Sequence, residues 1–156
     1  MIDVAVPGFG QLRLAELVCD FNGTLARDGE VLDSVRVRFS LLAQRVRIHV
    51  VTADTFGSVR LQIDGLPCEL TVVPKDDQAD AKRAFVEKLG AQHVVAVGNG
   101  RNDRMMLRAA ALGIGVCGAE GIATETLQAS DVVVADIAHA LDLLLETQRL
   151  VATLRD

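Results

Sequence analysis

The chain has 156 residues, 50% hydrophobic and 24% charged, with a formal net charge of −5. That size and apolar content suit one domain with a substantial core, and Lys and Arg dispersed among acidic residues give neither nucleic acid nor an anionic membrane an electrostatic hold. Met1 is not followed by a basic and then apolar stretch, and no apolar run is long enough to span a bilayer, so a cytoplasmic location is expected.

Ile2 to Val6 and Leu12 to Leu17 flank Pro7-Gly8-Phe9-Gly10, which predicts a hairpin leading into the first central strand. The apolar run from Leu14 to Cys19 delivers Asp20 into the turn Phe21-Asn22-Gly23-Thr24. Arg27-Asp28-Gly29-Glu30, between Leu25 and Val31, predicts a small projecting hairpin, and Val35, Phe39, Leu42 and Ala43 fall near helical spacing in a helix from Ser34 to Val46. Strands are expected at Ile48 to Thr52, Glu69 to Val73, Val94 to Val97, Gly113 to Val116 and Asp131 to Val134. Helices are expected at about Thr55 to Ile63, Gln78 to Leu89, Asp103 to Ala111 and Ala119 to Gln128, with a last one from Ile137 to Thr153. The repeated β–α order predicts a three-layer Rossmann-like α/β fold, with a mostly parallel sheet covered on both faces and the first strand central, in one domain over 1–156. Cys19, Cys68 and Cys117 lack metal-ligand spacing and lie in apolar strand-like settings, which predicts reduced core thiols.

Chemistry concentrates at the strand ends. Asp20 ends one strand, Thr52 closes another, Lys82 opens a helix, and the run from His93 to Val97 empties into Gly98-Asn99-Gly100-Arg101-Asn102-Asp103. In open α/β sheets reactive groups collect beyond the carboxyl ends of the strands, where exposed backbone N–H groups receive anions. A carboxylate nucleophile, a hydroxyl, a cation and a second carboxylate are the equipment of Mg²⁺-dependent phosphoryl transfer through an aspartyl-phosphate. Each residue also has a plainer reading. Asp20 could be a turn former, Thr52 an N-cap, and Lys82 a solvated helical lysine with Lys75 as its rival for the site. His49, His93 and His139 have no pairing that suggests catalysis.

The order and local context of these motifs resemble the haloacid dehalogenase-like superfamily, and within it the phosphorylation domain of P-type ATPases as a soluble protein. Asp20-Phe21-Asn22-Gly23-Thr24 is similar to Asp-Lys-Thr-Gly-Thr, Thr52-Ala53-Asp54 to Thr-Gly-Asp, and Gly98-Asn99-Gly100-Arg101-Asn102-Asp103 to Gly-Asp-Gly-x-Asn-Asp. Lys82 precedes Val86 at the spacing of the ATPase lysine motif, and the resemblance spans about Val18 to Val134. It implies a phosphatase with Asp20 as nucleophile, Thr52 binding phosphate and Lys82 neutralising charge. It also implies Mg²⁺ held by Asp20, Asp103 and the backbone carbonyl of Asn22, with Asn99, where the ATPases have an Asp, as a weaker neutral ligand. Too few residues follow the first or second motif for a cap domain, so the site would be covered by the small hairpin, by another subunit of a homo-oligomer, or by a large substrate. The partner would be a phosphorylated small molecule or a phosphoprotein.

Asn22 departs from the superfamily phosphatases, which carry a second Asp there to protonate the leaving group and activate water. Asn does neither. A slow phosphohydrolase is therefore expected, best on acyl or aryl phosphates. The alternative is a catalytically impaired domain with a regulatory or partner-binding role.

Overall fold

The computed structural model describes residues 1–54 and 57–156. Strands β1 (Ile2–Val6) and β2 (Gly10–Leu14) form an antiparallel hairpin whose alternate residues Ile2, Val4, Val6, Leu12 and Leu14 are buried, the period of two that a one-sided sheet requires. The segment expected to run unbroken from Leu12 to Leu17 is two strands. Ala15 separates them because its N–H and C=O are claimed by main-sheet neighbours, His93 O and Arg47 N–H, both at 2.9 Å. Strand β3 (Glu16–Asp20) follows and is buried at every position.

After β3 come β4 (Ala26–Arg27) and β5 (Glu30–Val31), joined through Asp28 (φ 52°) and Gly29 (φ 83°), the left-handed pair a two-residue hairpin turn requires. Helix α1 (Asp33–Leu42) stops short of the expected Val46, since the N–H groups of Arg45 and Val46 both fold back onto Leu42 O. Next are β6 (Arg47–Thr52), α2 (Ser58–Gln62), β7 (Glu69–Val72) and α3 (Gln78–Leu89). The expected start of the second helix at Thr55 lies outside the described residues. The chain continues through β8 (Val94–Gly98), a 3₁₀ turn at Arg101–Asp103, α4 (Arg104–Ala109) and β9 (Leu112–Val116). It ends with α5 (Thr124–Ala129), β10 (Val132–Val134), α6 (Ile137–Leu145) and α7 (Thr147–Leu154).

Two further boundaries move for backbone reasons. The helix expected from Ala119 begins only at Thr124, because Gly118 (φ 51°) and Gly121 (φ 77°) hold left-handed conformations that interrupt helical geometry. The last helix breaks at Glu146 (φ −113°, ψ 69°) into α6 and α7.

The main sheet has the order β10-β9-β8-β3-β6-β7, with every neighbouring pair parallel. One face packs against α3, α4 and α5 through Val18, Val51, Val86, Ala96, Met106 and Leu107. The other packs against α1 and α6 through Leu17, Cys19, Phe39, Val97, Leu141 and Leu144. Burial on both faces explains the continuous apolar runs of β3 and β8. Cys19 alone among the three cysteines is a core thiol; Cys68 is half-buried, and Cys117 is exposed because β9 has already ended at Val116. Among the described residues no helix is long and apolar enough to cross a membrane.

Candidate active site

Because β3, β6 and β8 run parallel side by side, their carboxyl ends open on one edge of the sheet, at the point where chain order reverses around β3. A cleft of about 480 Å³ lies there, with Asp20, Asn22, Thr52, Asn99 and Glu120 on its wall, together with Asp54 and Lys75.

Beneath it is a buried ionic cluster. Lys82, on α3, is only 1% exposed, and its Nζ donates to Asp20 Oδ1 and to Asp103 Oδ1, each at 2.6 Å. Asp103 is wholly buried, and its Oδ2 accepts from the N–H groups of Asn99 (3.0 Å) and Gly100 (2.9 Å). Gly98 is needed for this: a Cβ there would lie 2.6 Å from the Asp103 side chain. Thr24 Oγ1 stands 3.4 Å from Asp20 Oδ2 and donates to Asn99 Oδ1 at 3.2 Å, while Asn99 Nδ2 donates to Gly121 O at 3.2 Å, which fixes the amide with its oxygen toward Thr24. Thr52 Oγ1 accepts the N–H of Asp54 at 3.1 Å, and Asn102 Nδ2 ties the 3₁₀ turn to α3 through Gln78 Oε1 at 2.6 Å.

The electrostatics follow from burying two carboxylates with one ammonium. Burial and then the nearby Asp103 charge raise the Asp20 carboxyl; Lys82 offsets them in part, leaving it pushed up to about 7. Burial works against the Lys82 ammonium, but Asp20 and Asp103 outweigh it and hold its pKa above the usual lysine value. The cluster carries a net charge of −1 when all three groups are ionised.

The structure brings together every residue singled out from the sequence, but not in equivalent places. Asp20, Asn22, Thr52 and Asn99 face the cleft, and Lys82 and Asp103 lie below it. Lys82 reaches Asp20, whereas Lys75 lines the cleft. Asp103 has both oxygens engaged by the protein, whereas Asn99 and Asn102 of that turn line the cleft. Sequence reasoning missed Glu120. The available signal was an acidic residue between Gly118 and Gly121 just beyond a strand end, and it was obscured by reading Ala119 to Gln128 as one helix.

The donors on the cleft wall suit a hard divalent cation. They are carboxylate and amide oxygens, with no thiolate or imidazole among them. Among the described residues no three His, Cys, Asp or Glu side chains converge closely enough to hold a metal alone.

No family model matches the chain. Over 80 residues it is 48% identical to the uncharacterized protein MJ0073 of Methanocaldococcus jannaschii, covering 49% of this chain and 86% of that protein. Among solved structures it resembles 3-deoxy-D-manno-octulosonate 8-phosphate phosphatase from Moraxella catarrhalis in complex with magnesium, phosphate and KDO, with a TM-score of 0.71, 18% identity, and coverage of 91% of this chain and 94% of that one. It also resembles the cobalt-bound form of the corresponding Haemophilus influenzae phosphatase, with a TM-score of 0.72, 15% identity, and coverage of 88% and 90%. The architecture shared with these structures is the haloacid dehalogenase-like (HAD) fold.

Proposed function

We propose that this chain, which belongs to the same family as MJ0073 and has the haloacid dehalogenase-like fold, is a phosphohydrolase working through a phosphorylated Asp20. One observation carries the reading: Lys82 bridges Asp20 and Asp103 at 2.6 Å beneath a polar cleft at the carboxyl ends of β3 and β8. A buried lysine between two carboxylates is costly to fold, and here it leaves one carboxylate at the surface of the cleft.

In this reading Asp20 Oδ2, the oxygen not held by Lys82, forms a bond to phosphorus as the bond from phosphorus to the leaving oxygen breaks. Lys82 keeps Oδ1 fixed and compensates its charge. The hydroxyl of Thr52 receives a phosphoryl oxygen. Asn22 cannot protonate the departing oxygen, so the leaving group departs with its electron pair and takes a proton from water. A water molecule then attacks the phosphorus, releasing inorganic phosphate and the Asp20 carboxylate. Asp20, the Asn22 carbonyl and the Asn99 amide oxygen would hold Mg²⁺ or a similar ion, which neutralises phosphoryl charge when bound. Asp103, wholly buried beneath the cleft rather than on its wall, acts by positioning Lys82 and the Asn99 turn.

The cleft admits a phosphorylated small molecule or a phosphorylated side chain of a protein. Its neighbours are named for an alkyl phosphate of a sugar acid, and Asn22 makes that class the poorer one here. Acyl and aryl phosphates leave as stable anions and need the missing proton least. The test is incubation with acetyl phosphate and Mg²⁺, acid quenching, and location of the covalent phosphate. It is expected on Asp20 and absent from Asp20→Asn. Phosphate release that persists in Asp20→Asn would sink the mechanism, and a wild type that neither turns over nor traps phosphate from any donor would favour the regulatory domain that Asn22 and Asn99 also suit.

A further inference from the structure

Glu120 has no part in the chemistry above, yet it stands on the same cleft wall as Asp20, Asn22 and Asn99. It lies in the loop between β9 and α5, exposed, beyond the carboxyl end of its strand. The approach depends on two glycines. A Cβ on Gly23 would run into Glu120 Oε2, and it would lie 2.6 Å from Asn99 Nδ2 and 2.9 Å from Asn99 Oδ1, so Glu120 and the Asn99 amide face each other across space that only glycine leaves open. A Cβ on Gly118 would lie 3.2 Å from Gly23 O, which shows the two loops packed backbone to backbone beside Asn22. The other acidic group of the wall, Asp54, turns its Oδ2 to Ser58 Oγ at 2.8 Å.

We infer that Glu120 supplies the second anionic ligand, directly or through a water, of a divalent cation bound with Asp20 and the Asn99 amide oxygen. The inference rests on the phosphohydrolase reading and deepens its metal site. Charge is the reason. Asp20 and Asp103 against Lys82 leave a single net negative charge, too little to balance a dication, and Asn99 adds none. Glu120 brings the total to two. Affinity for hard cations rises with the number of charged oxygen ligands, so a site with Asn at position 99 needs its second carboxylate from elsewhere in the cleft. Exposure of Glu120 to the cleft suits an ion that retains waters.

The test measures Mn²⁺ binding by the loss of free-ion EPR signal, with Mg²⁺ as competitor, in wild type, Glu120→Gln, Asn99→Asp and the double variant. Glu120→Gln should weaken binding by about tenfold or more, with its melting curve unchanged because the residue is exposed. Asn99→Asp in the Glu120→Gln background should restore most of the loss by returning the charge to position 99. Glu120→Gln binding within about twofold of wild type, or a double variant no better than Glu120→Gln, overturns the inference and leaves phospho-Asp20 untouched. A wild type that binds neither ion overturns the whole metal site, while the acid-quench experiment judges the nucleophile separately.

Discussion

Strand β3 buries Glu16 at its first residue and Asp20 at its last, and the two carboxylates meet opposite surroundings. Glu16 Oε1 accepts from Arg47 Nε at 3.0 Å, and its Oε2 lies 2.8 Å from His49 Nε2. One acid faces one guanidinium, and the Arg47 side chain is 71% exposed, so the pair is balanced and partly solvated. At the other end two carboxylates share one fully buried ammonium, and the acid left short of positive charge borders a cleft. Both ends are buried ionic clusters on neighbouring strands of one sheet. What separates them is balance: matched charge holds the edge of a fold, whereas on the proposed reading the unmatched charge beside the cleft receives a cation or a substrate's phosphorus.

The largest effect that would break this contrast is on turnover. Asp20→Asn should lower kcat on acetyl phosphate by about 10⁴-fold or more, the scale of losing a catalytic nucleophile, and a smaller loss would mean the unmatched carboxylate is not the reacting group. The same imbalance has a signature in stability. With its folded pKa raised from 3.8 to about 7, Asp20 binds its proton more tightly in the folded state than in the unfolded one. Without metal, stability should therefore fall as pH rises from about 4 to about 7 and level off above that, a change on the order of a few kcal/mol. Urea denaturation across that range in EDTA should show a slope that flattens in Asp20→Asn and on addition of Mg²⁺. An identical slope in the variant would show that the cluster is not imbalanced in solution.

The fold was largely legible because a doubly covered parallel sheet writes itself as apolar runs alternating with longer helical patterns, and β3, β6, β8 and β9 all read that way. The misread boundaries at Ala15, Glu146 and the residues before Thr124 are set by backbone pairing and left-handed glycines, which hydrophobic period does not register. In the site, residue types at strand ends pointed to Asp20, Thr52 and Asn99. Orientation did not follow from them: that Asp103 turns inward to Lys82 and two backbone N–H groups depends on the close approach at Gly98, and the Asn99 amide is set by Thr24 and the Gly121 carbonyl. Glu120 comes from a loop that is near Asp20 only through tertiary packing.

Next in size is the effect of restoring a proton donor. Asn22 is exposed on the cleft wall, so Asn22→Asp introduces a carboxyl that can be solvated and does not add to the buried imbalance. It should raise turnover of alkyl phosphates by about 10²-fold or more, and that of acetyl phosphate less, because a positioned acid matters most for poor leaving groups. Steady-state rates on glycerol phosphate and acetyl phosphate would show it. Equal gains on both would mean the group acts on the attacking water alone, and no gain on either would mean position 22 is not in line with the leaving oxygen.

The smallest effect belongs to the balanced end of β3. Glu16→Gln keeps the size and one acceptor oxygen but removes the charge that faces Arg47 and His49. Arg47, mostly exposed, can turn into water, whereas His49 is 4% exposed and its Nδ1 already lacks a hydrogen-bond partner, so the loss falls on the Nε2 contact. A loss of about 1 to 3 kcal/mol is expected from weakening a buried, charge-assisted hydrogen bond, read as a lower urea midpoint with the slope on urea unchanged. Turnover on acetyl phosphate and Mn²⁺ affinity should stay within about twofold of wild type, because Glu16 sits at the amino end of the strand whose carboxyl end carries Asp20. A folded Glu16→Gln protein with turnover reduced tenfold would show the two ends of β3 to be coupled, and the division between a matched, structural cluster and an unmatched, reactive one would have to be abandoned.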